Sequence, residues 1–184
     1  MSSTNRGSVR KLDDLYETPE WLTESIIPEL LSRIVRPQDC KVLEPACGKG
    51  LMVRVLNKYF HNITATDINS SPSVNFLNSN MPPKPTFDLI ITNPPYIHAM
   101  EFIKKALEWR RTPESVVAML LRLNFLGSRR RAVWLREHIP AVYVTPHRPS
   151  FINGKTDSTE YAWFIWQQPF EKTSELGILE TENT

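Results

Sequence analysis

Short apolar runs alternate with helix-like stretches from residue 41 onward, and this alternation constrains the fold more than any other feature. The runs that predict strands span residues 41–44, 63–67, 87–92, 115–121, 141–145 and 160–167. Helix-like stretches lie between them near residues 51–60, 98–110 and 128–138. Alternation of this kind predicts an α/β fold with a doubly wound, mostly parallel sheet and helices on both faces.

Two regions modify this pattern. Residues 147–159 join the last two predicted strands and are rich in Pro, Gly, Asn, Asp and Ser, which leaves no room for a helix. We therefore expect these strands to form an antiparallel pair, with the last strand antiparallel to the sheet. Before the first strand, Thr18-Pro19-Glu20 predicts a helix start with Thr18 as the N-cap, and Pro28 predicts a kink or break.

The 184 residues suffice for one domain with one buried core. We expect a mobile arm at residues 1–11, a single domain at 12–170 and a loose acidic tail at 171–184. With 41% hydrophobic residues, the composition argues against a disordered chain.

No apolar run approaches the ~18 residues needed to cross a bilayer, and the N-terminus lacks the apolar centre of a signal peptide. We expect no membrane partner and a cytoplasmic location. Cys40, Cys47 and the four histidines show no metal-ligand spacing, so no metal site is predicted.

The first informative segment is 41–50, Lys-Val-Leu-Glu-Pro-Ala-Cys-Gly-Lys-Gly, which predicts a strand, a loop of small residues and a helix start. Small residues let a ligand approach the backbone there. A dinucleotide fingerprint would need another small residue where Val53 stands, and a P-loop would need Ser or Thr where Gly50 stands. The loop indicates a nucleoside site without a pyrophosphate cradle, or else an ordinary tight turn.

Asp67 ends the next predicted strand. In nucleoside-binding sheets, an acid at this position accepts hydrogen bonds from both ribose hydroxyls. Acids also follow strands by accident, so the interpretation depends on the glycine loop that follows the preceding strand.

The most specific segment is Asn93-Pro94-Pro95-Tyr96, which follows a buried strand where such sheets bind ligands. Two prolines stiffen the turn and leave the Pro94 carbonyl outside any helix. Asn93 adds a second carbonyl acceptor and Tyr96 a flat surface. This combination suits a planar group that carries an –NH2, although a proline turn with a capping Asn is the simpler alternative.

Basic residues cluster later in the chain, where Arg122 and Arg136 flank a run of three arginines, Arg129, Arg130 and Arg131. Such a run is usually a solvated helix face. Because it follows a predicted strand on the ligand side of the sheet, we expect it to contact phosphates.

These segments resemble the amino-methylating S-adenosylmethionine-dependent methyltransferases, and most closely the DNA adenine-N6 enzymes of restriction–modification systems and phages with Taq-type motif order. The resemblance is strong over residues 16–67 and 87–96 and weaker in the C-terminal third. It implies a class I methyltransferase fold, which is Rossmann-like, and S-adenosyl-L-methionine as the cofactor.

The resemblance also implies roles for particular residues. The segment Tyr16–Pro19 matches the part of the family that contacts the methionine end of the cofactor, and 44–50 matches its cofactor loop. Asn75-Phe76-Leu77 is the nearest match to a family Asp-Phe-Leu segment. The implied cofactor contacts are Tyr16, Thr18, Glu44, Ala46, Gly48, Gly50, Asp67, Ile68, Asn75 and Phe76, and the implied catalytic turn is Asn93, Pro94, Pro95 and Tyr96. Phe151 is the candidate for an aromatic residue that packs on an extruded base.

The expected activity is therefore methyl transfer to N6 of adenine in DNA, with Asn93 and Pro94 accepting the two hydrogens of the amine. RNA adenine, cytosine-N4 and a protein glutamine amide stay open as substrates, because the turn suits any planar –NH2. A non-catalytic partner subunit is the alternative from a different class. Few residues follow the last predicted strand, so we expect a minimal target-recognition region and a short target sequence.

Overall fold

The structure is a computed structural model that describes residues 17–70, 75–78, 86–151, 158–169 and 175–179. The helices of the described chain are α1 (Glu20–Glu24), α2 (Ile27–Arg33), α3 (Leu51–Leu56), α4 (Ala99–Trp109) and α5 (Ala132–Glu137). The strands are β1 (Lys41–Glu44), β2 (Asn62–Ala65), β3 (Leu89–Thr92), β4 (Val116–Arg122), β5 (Ala141–Val144), β6 (Tyr161–Trp166) and β7 (Leu176–Ile178). The predicted arm at residues 1–11 and Tyr16 lie outside the described residues.

The seven strands form one sheet in the order β2-β1-β3-β4-β6-β5-β7. The β2–β1, β1–β3, β3–β4 and β5–β7 pairs are parallel, whereas β6 is antiparallel to both β4 and β5. The prediction of a doubly wound, mostly parallel sheet with an antiparallel strand near the end is confirmed.

Side chains of the central strands alternate between two apolar cores, one on each face of the sheet. In β4, Val116, Ala118 and Leu120 face the core that includes α1, α2 and α3. The intervening residues of β4 face a second core with Phe102 and Ile103 of α4. Burial on both faces explains why β4 is continuously apolar in sequence instead of alternating.

Several local features differ from the sequence predictions. Residues 171–184 are predicted as a loose tail, but Leu176–Ile178 within them forms β7 and pairs with β5. The third predicted helix begins at Ala132 rather than near 128. The predicted break at Pro28 falls slightly earlier, since α1 ends at Glu24 and Pro28 lies in the first turn of α2, where its missing N–H costs no helical hydrogen bond. No helix in the described part of the chain is long and apolar enough to cross a membrane.

Strand order positions the functional groups. From β1 the chain passes through α3 to β2 on one side of β1, and β3 then pairs with the other side. The connections therefore diverge above the carboxyl ends of β1 and β3, and such a switch point opens a crevice where α/β sheets bind ligands.

Candidate active site

The crevice is formed by residues that end or follow three strands. Glu44 ends β1, Asp67 follows β2 after a short extension, and Asn93 directly follows β3. A single groove at this edge is lined by residues that include Glu17, Thr18, Glu44, Ala46, Gly48 and Asn93. The structure thus brings together residues that are up to 76 positions apart, from Glu17 to Asn93.

The loop after β1 depends on glycine at two positions. Gly48 has φ 52° and Gly50 has φ 86°, a region that other residues rarely adopt. Gly50 is also the residue that precedes α3. The loop is tied to the neighbouring strand because the amide of Cys47 donates to the carbonyl of Thr66 at 3.0 Å.

Asp67 holds two loops through its carboxylate. The amide of Gly48 donates to Oδ2 at 2.9 Å, and the amide of Asn69 donates to Oδ1 at 2.8 Å. Asp67 is buried, whereas the next residue, Ile68, is 50% exposed. A buried acceptor beside an exposed apolar side chain is the arrangement that a nucleoside needs, with its diol on the acid and its base on the apolar surface.

Glu44 is the most deeply buried carboxyl group of this edge. Thr92 Oγ1 donates to its Oε1 at 3.3 Å, while Oε2 is buried and accepts no hydrogen bond from the part of the chain that the structure describes. Burial raises the pKa of Glu44 to about 8; the charge of Asp67 adds to this shift, and the hydrogen bond from Thr92 opposes it. A buried carboxyl oxygen without a partner is costly, so it marks a place where a cationic or donor group of a ligand would be stabilised.

Asn93 connects the turn after β3 to the N-terminal segment. Its Nδ2 donates to Thr18 Oγ1 at 3.1 Å. This contact explains why Thr18 is not the N-cap of α1: the N-cap is Pro19, and no side chain caps the helix. With the amide nitrogen of Asn93 fixed, its Oδ1 is buried and accepts no hydrogen bond from any described residue.

The turn beyond Asn93 is rigid. Pro94 is buried and Pro95 exposed, and the amide of His98 donates to the Pro95 carbonyl at 2.8 Å to close a short 3-10 turn at Tyr96–His98. The hydroxyl of Tyr96 is buried. Burial raises the pKa of Tyr96 well above its ordinary value, so the ring is a neutral surface.

An aromatic wall, composed of Tyr96, Phe151 and Tyr161, lies beside the turn. The ring centroids of Tyr96 and Tyr161 are 5.8 Å apart, and those of Phe151 and Tyr161 are 5.1 Å apart. The structure therefore brings Phe151 to the wall that contains Tyr96. The guanidinium carbon of Arg122 lies 4.9 Å from the centroid of the Tyr96 ring. The sequence analysis did not predict Tyr161 in this wall or the contact of Arg122 with it; the antiparallel pairing of β4 with β6 places these two residues opposite each other.

Two residues predicted to contact the cofactor, Asn75 and Phe76, make local contacts within the chain. Phe76 is 4% exposed and packs against Phe102 and Trp109, with centroids 5.1 and 4.9 Å away. Asn75 Oδ1 accepts a hydrogen bond from the amide of Leu77 at 3.0 Å. Phe76 is therefore part of the core and Asn75 part of a turn, and their predicted contacts with a cofactor stay predictions.

The three arginines that are predicted to bind phosphate lie in different environments. Arg129 and Arg130 are exposed in the segment between β4 and α5. Arg131 instead donates through Nε to the carbonyl of Phe125 at 2.8 Å, and its guanidinium lies over the Phe125 ring. Arg131 thus stabilises the loop that carries the other two, and its role as a phosphate contact stays a prediction.

The strand order and the crevice define the class I methyltransferase fold. No family model matches the sequence, and a search of curated proteins finds no similar one. Solved structures do resemble it. One is a putative class I S-adenosylmethionine-dependent methyltransferase from Listeria monocytogenes, with TM-score 0.64 and 13% identity over 92% of this chain and 68% of that one.

Two further structures come from different functional contexts. The methyltransferase subunit of a type I restriction–modification system from Streptococcus thermophilus gives TM-score 0.65 and 14% identity, covering 85% of this chain but only 46% of that one. The 23S rRNA methyltransferase ErmE gives TM-score 0.52 and 18% identity, covering 80% of this chain and 68% of that one. At these identities the comparison establishes the fold, and this chain spans less than half of the restriction–modification subunit.

Proposed function

We propose that this chain is an S-adenosylmethionine-dependent methyltransferase that acts on the N6 amine of adenine in DNA. The observation that carries the proposal is the state of Asn93: its amide nitrogen is held by Thr18, and its buried Oδ1 accepts no hydrogen bond among the described residues. An acceptor fixed in this way beside two prolines and a tyrosine is preorganised for an –NH2 group.

Residues of the groove and of the loop after β2 fit the proposed cofactor. The buried Oε2 of Glu44, which has no partner among the described residues, suits the amino group at the methionine end, and Thr18 lines the same groove. Asp67 would accept from the ribose hydroxyls, with Ile68 against the purine. When bound, S-adenosylmethionine supplies a methyl group on a sulfonium, which is a good leaving group.

The chain's own contribution is to prepare the amine. The lone pair of an adenine exocyclic nitrogen is delocalised into the ring, which makes the nitrogen a poor nucleophile. Asn93 Oδ1 and the Pro94 carbonyl would accept its two hydrogens, favour a pyramidal nitrogen and direct the lone pair away from the ring. Positioning and fixed dipoles supply the catalysis without a covalent intermediate on the protein.

Two features support a nucleic acid as the substrate. The half-buried ring of Tyr96 and the neighbouring Phe151 provide apolar surface on which an extruded base could stack, which would offset part of the cost of unstacking. Exposed Arg129 and Arg130 follow the adjacent strand and could neutralise phosphates. The likeness to a restriction–modification subunit agrees with DNA as the substrate.

Adenine in RNA is the second candidate, because the chain also resembles a 23S rRNA methyltransferase. The chemistry at Asn93 is the same for both nucleic acids. Cytosine-N4 and a glutamine amide are compatible with the same two acceptors, and a non-catalytic partner subunit would have no need for an acceptor held ready for an amine.

The test is incubation of the purified chain with methyl-labelled S-adenosylmethionine and separate pools of duplex DNA, structured RNA and unmodified protein. We expect label in DNA, lost in the Asn93→Ala variant. Label confined to RNA or protein would reassign the substrate. Cofactor binding without transfer to any pool would favour the partner-subunit alternative.

A further inference from the structure

Arg122 contacts two residues of the proposed base-stacking wall, Tyr96 and Tyr161. It is the last residue of β4 and lies opposite Tyr161 in the antiparallel β4–β6 pair. Its Nε donates to the hydroxyl of Tyr161 at 3.2 Å, and its guanidinium lies over the Tyr96 ring at 4.9 Å. One cation therefore connects the catalytic turn to two strands of the sheet.

The geometry points to Arg122 as a positioning residue that fixes the plane of the Tyr96 ring for the incoming adenine. This inference rests on the proposed function, since it concerns the substrate side of the same site. Arg122 acts through Tyr96 and makes no proposed contact with the reacting atoms.

The anchoring of the guanidinium supports this role. Tyr161 is 1% exposed and belongs to the apolar core, so the hydrogen bond to its hydroxyl holds Arg122 against the sheet. A guanidinium held there attracts the negative face of the Tyr96 ring and restrains its rotation. An adenine that stacks on Tyr96 must then use the ring face that Arg122 does not cover, which defines where the base lies relative to Asn93.

The alternative role, a contact with phosphate, fits other arginines better. Arg129 and Arg130 are exposed, whereas Arg122 is half-buried and already directed at two aromatic residues. A loss of phosphate contact would weaken DNA binding in a salt-dependent manner without changing the Tyr96 ring.

The first measurement needs no substrate. The chain has five tyrosines, so fluorotyrosine labelling gives a small set of ring signals, and the Tyr96 signal is identified by its loss in Tyr96→Phe. We expect Arg122→Met to speed the flipping of the Tyr96 ring by at least about tenfold, because the cation over the ring is gone. Arg122→Lys keeps a cation and should leave the flipping rate near that of the unmodified chain. An unchanged rate in Arg122→Met would overturn the inference.

The second measurement is steady-state kinetics on duplex DNA. We expect Arg122→Met to lower kcat/KM by about tenfold with cofactor affinity unchanged, and Arg122→Lys to restore most of it. Arg122→Gln, which keeps a donor for Tyr161 without the charge, provides a second variant if Arg122→Met fails to fold and should behave like Arg122→Met. Arg36→Met, at an exposed arginine near the opposite edge of the sheet, is the matched control.

These outcomes separate the two proposals. Equal losses in Arg122→Lys and Arg122→Met, or a loss of cofactor affinity in either, would overturn the positioning role. If the unmodified chain methylates no DNA, the proposed function fails, and the ring-flipping rates still decide whether Arg122 fixes Tyr96.

Discussion

The polar groups at the two ends of the parallel strands are satisfied in different ways. We call the side of the sheet where β1, β3 and β4 begin the amino edge, and the side where they end the carboxyl edge. At the amino edge, Asp88 accepts from the amide of Lys41 at 2.8 Å and pairs with Arg111 at 3.2 Å. Arg33 there donates to the Tyr143 hydroxyl and to Glu175, each at 2.7 Å. At the carboxyl edge, Glu44 and Asn93 each keep a buried oxygen that accepts nothing from the described residues.

This contrast distinguishes structural polar groups from groups held ready for a ligand. Protein interiors rarely leave acceptors without partners, because the desolvation cost is not recovered. The amino edge follows that rule, because its charged groups form partly exposed ion pairs and hydrogen bonds with other residues of the chain. The carboxyl edge departs from it at two residues that end or follow neighbouring strands, which is why we place the chemistry there.

The largest expected effect comes from removing the prepared acceptor. Asn93→Ala should lower turnover by about a hundredfold or more, because the amine loses an oriented acceptor, while cofactor affinity stays nearly unchanged. Methyl-transfer rates beside calorimetric titration of the cofactor would measure both. Gln167→Ala, which removes an amide at the amino edge, should leave turnover as it is. Near-normal turnover in Asn93→Ala would contradict the inference that the carboxyl edge holds an acceptor for the substrate amine.

The next effect concerns cofactor affinity. Asp67→Ala should weaken cofactor binding by roughly 1.5–3 kcal/mol, since the ribose loses a charged acceptor and Gly48 and Asn69 lose their anchor. Asp67→Asn, which can still accept from one amide, should weaken it less. Titration with the cofactor and with its demethylated product would test this, and equal affinity in all three proteins would contradict the role of Asp67.

The burial of Glu44 makes the stability of the fold depend on pH. Its pKa is about 8 in the folded chain because burial opposes the charge. Between pH 4.5 and about pH 8 the folded state keeps a proton that the unfolded state has already released. The free energy of unfolding therefore decreases as the pH rises from about 5 to about 8. The slope is at most about 1.4 kcal/mol per pH unit. Relative to Glu44→Gln, the unmodified chain should lose stability across that window in denaturant titrations; parallel curves would contradict the pKa shift.

The smallest expected effect on activity lies at the amino edge. Arg33→Met should leave methyl transfer unchanged and lower the free energy of unfolding by about 1–3 kcal/mol, since Tyr143 and Glu175 lose a charged donor. Thermal unfolding beside the transfer assay would show this separation. A loss of turnover without a loss of stability would show that the amino edge also has a functional role.

The sequence predicted the elements that determine where the groove lies. Strand β1 has the predicted bounds, and the parallel arrangement that follows from the alternation requires that Glu44, Asp67 and Asn93 meet at one edge. Local sequence signals were enough to locate the groove, because the carboxyl ends of neighbouring parallel strands lie at the same side of the sheet whatever the details of side-chain packing.

The remaining features depend on tertiary contacts. Phe76 is buried by Phe102 and Trp109 of α4, which no local pattern reveals. Arg131 resembles its two neighbours in sequence, but only the fold shows that it donates to Phe125. Strand β7 is three residues long with a central glycine, too short to show a period, and it exists because β5 offers a free edge.

We propose that Asn93 prepares the N6 amine of adenine in DNA. The most direct measurement is nucleoside analysis of duplex DNA after incubation with the purified chain and methyl-labelled S-adenosylmethionine, with Asn93→Ala as the paired control. We predict label in N6-methyladenine with the unmodified chain and almost none with Asn93→Ala. Label in N4-methylcytosine, equal label with both proteins, or unlabelled DNA beside labelled RNA would contradict the claim.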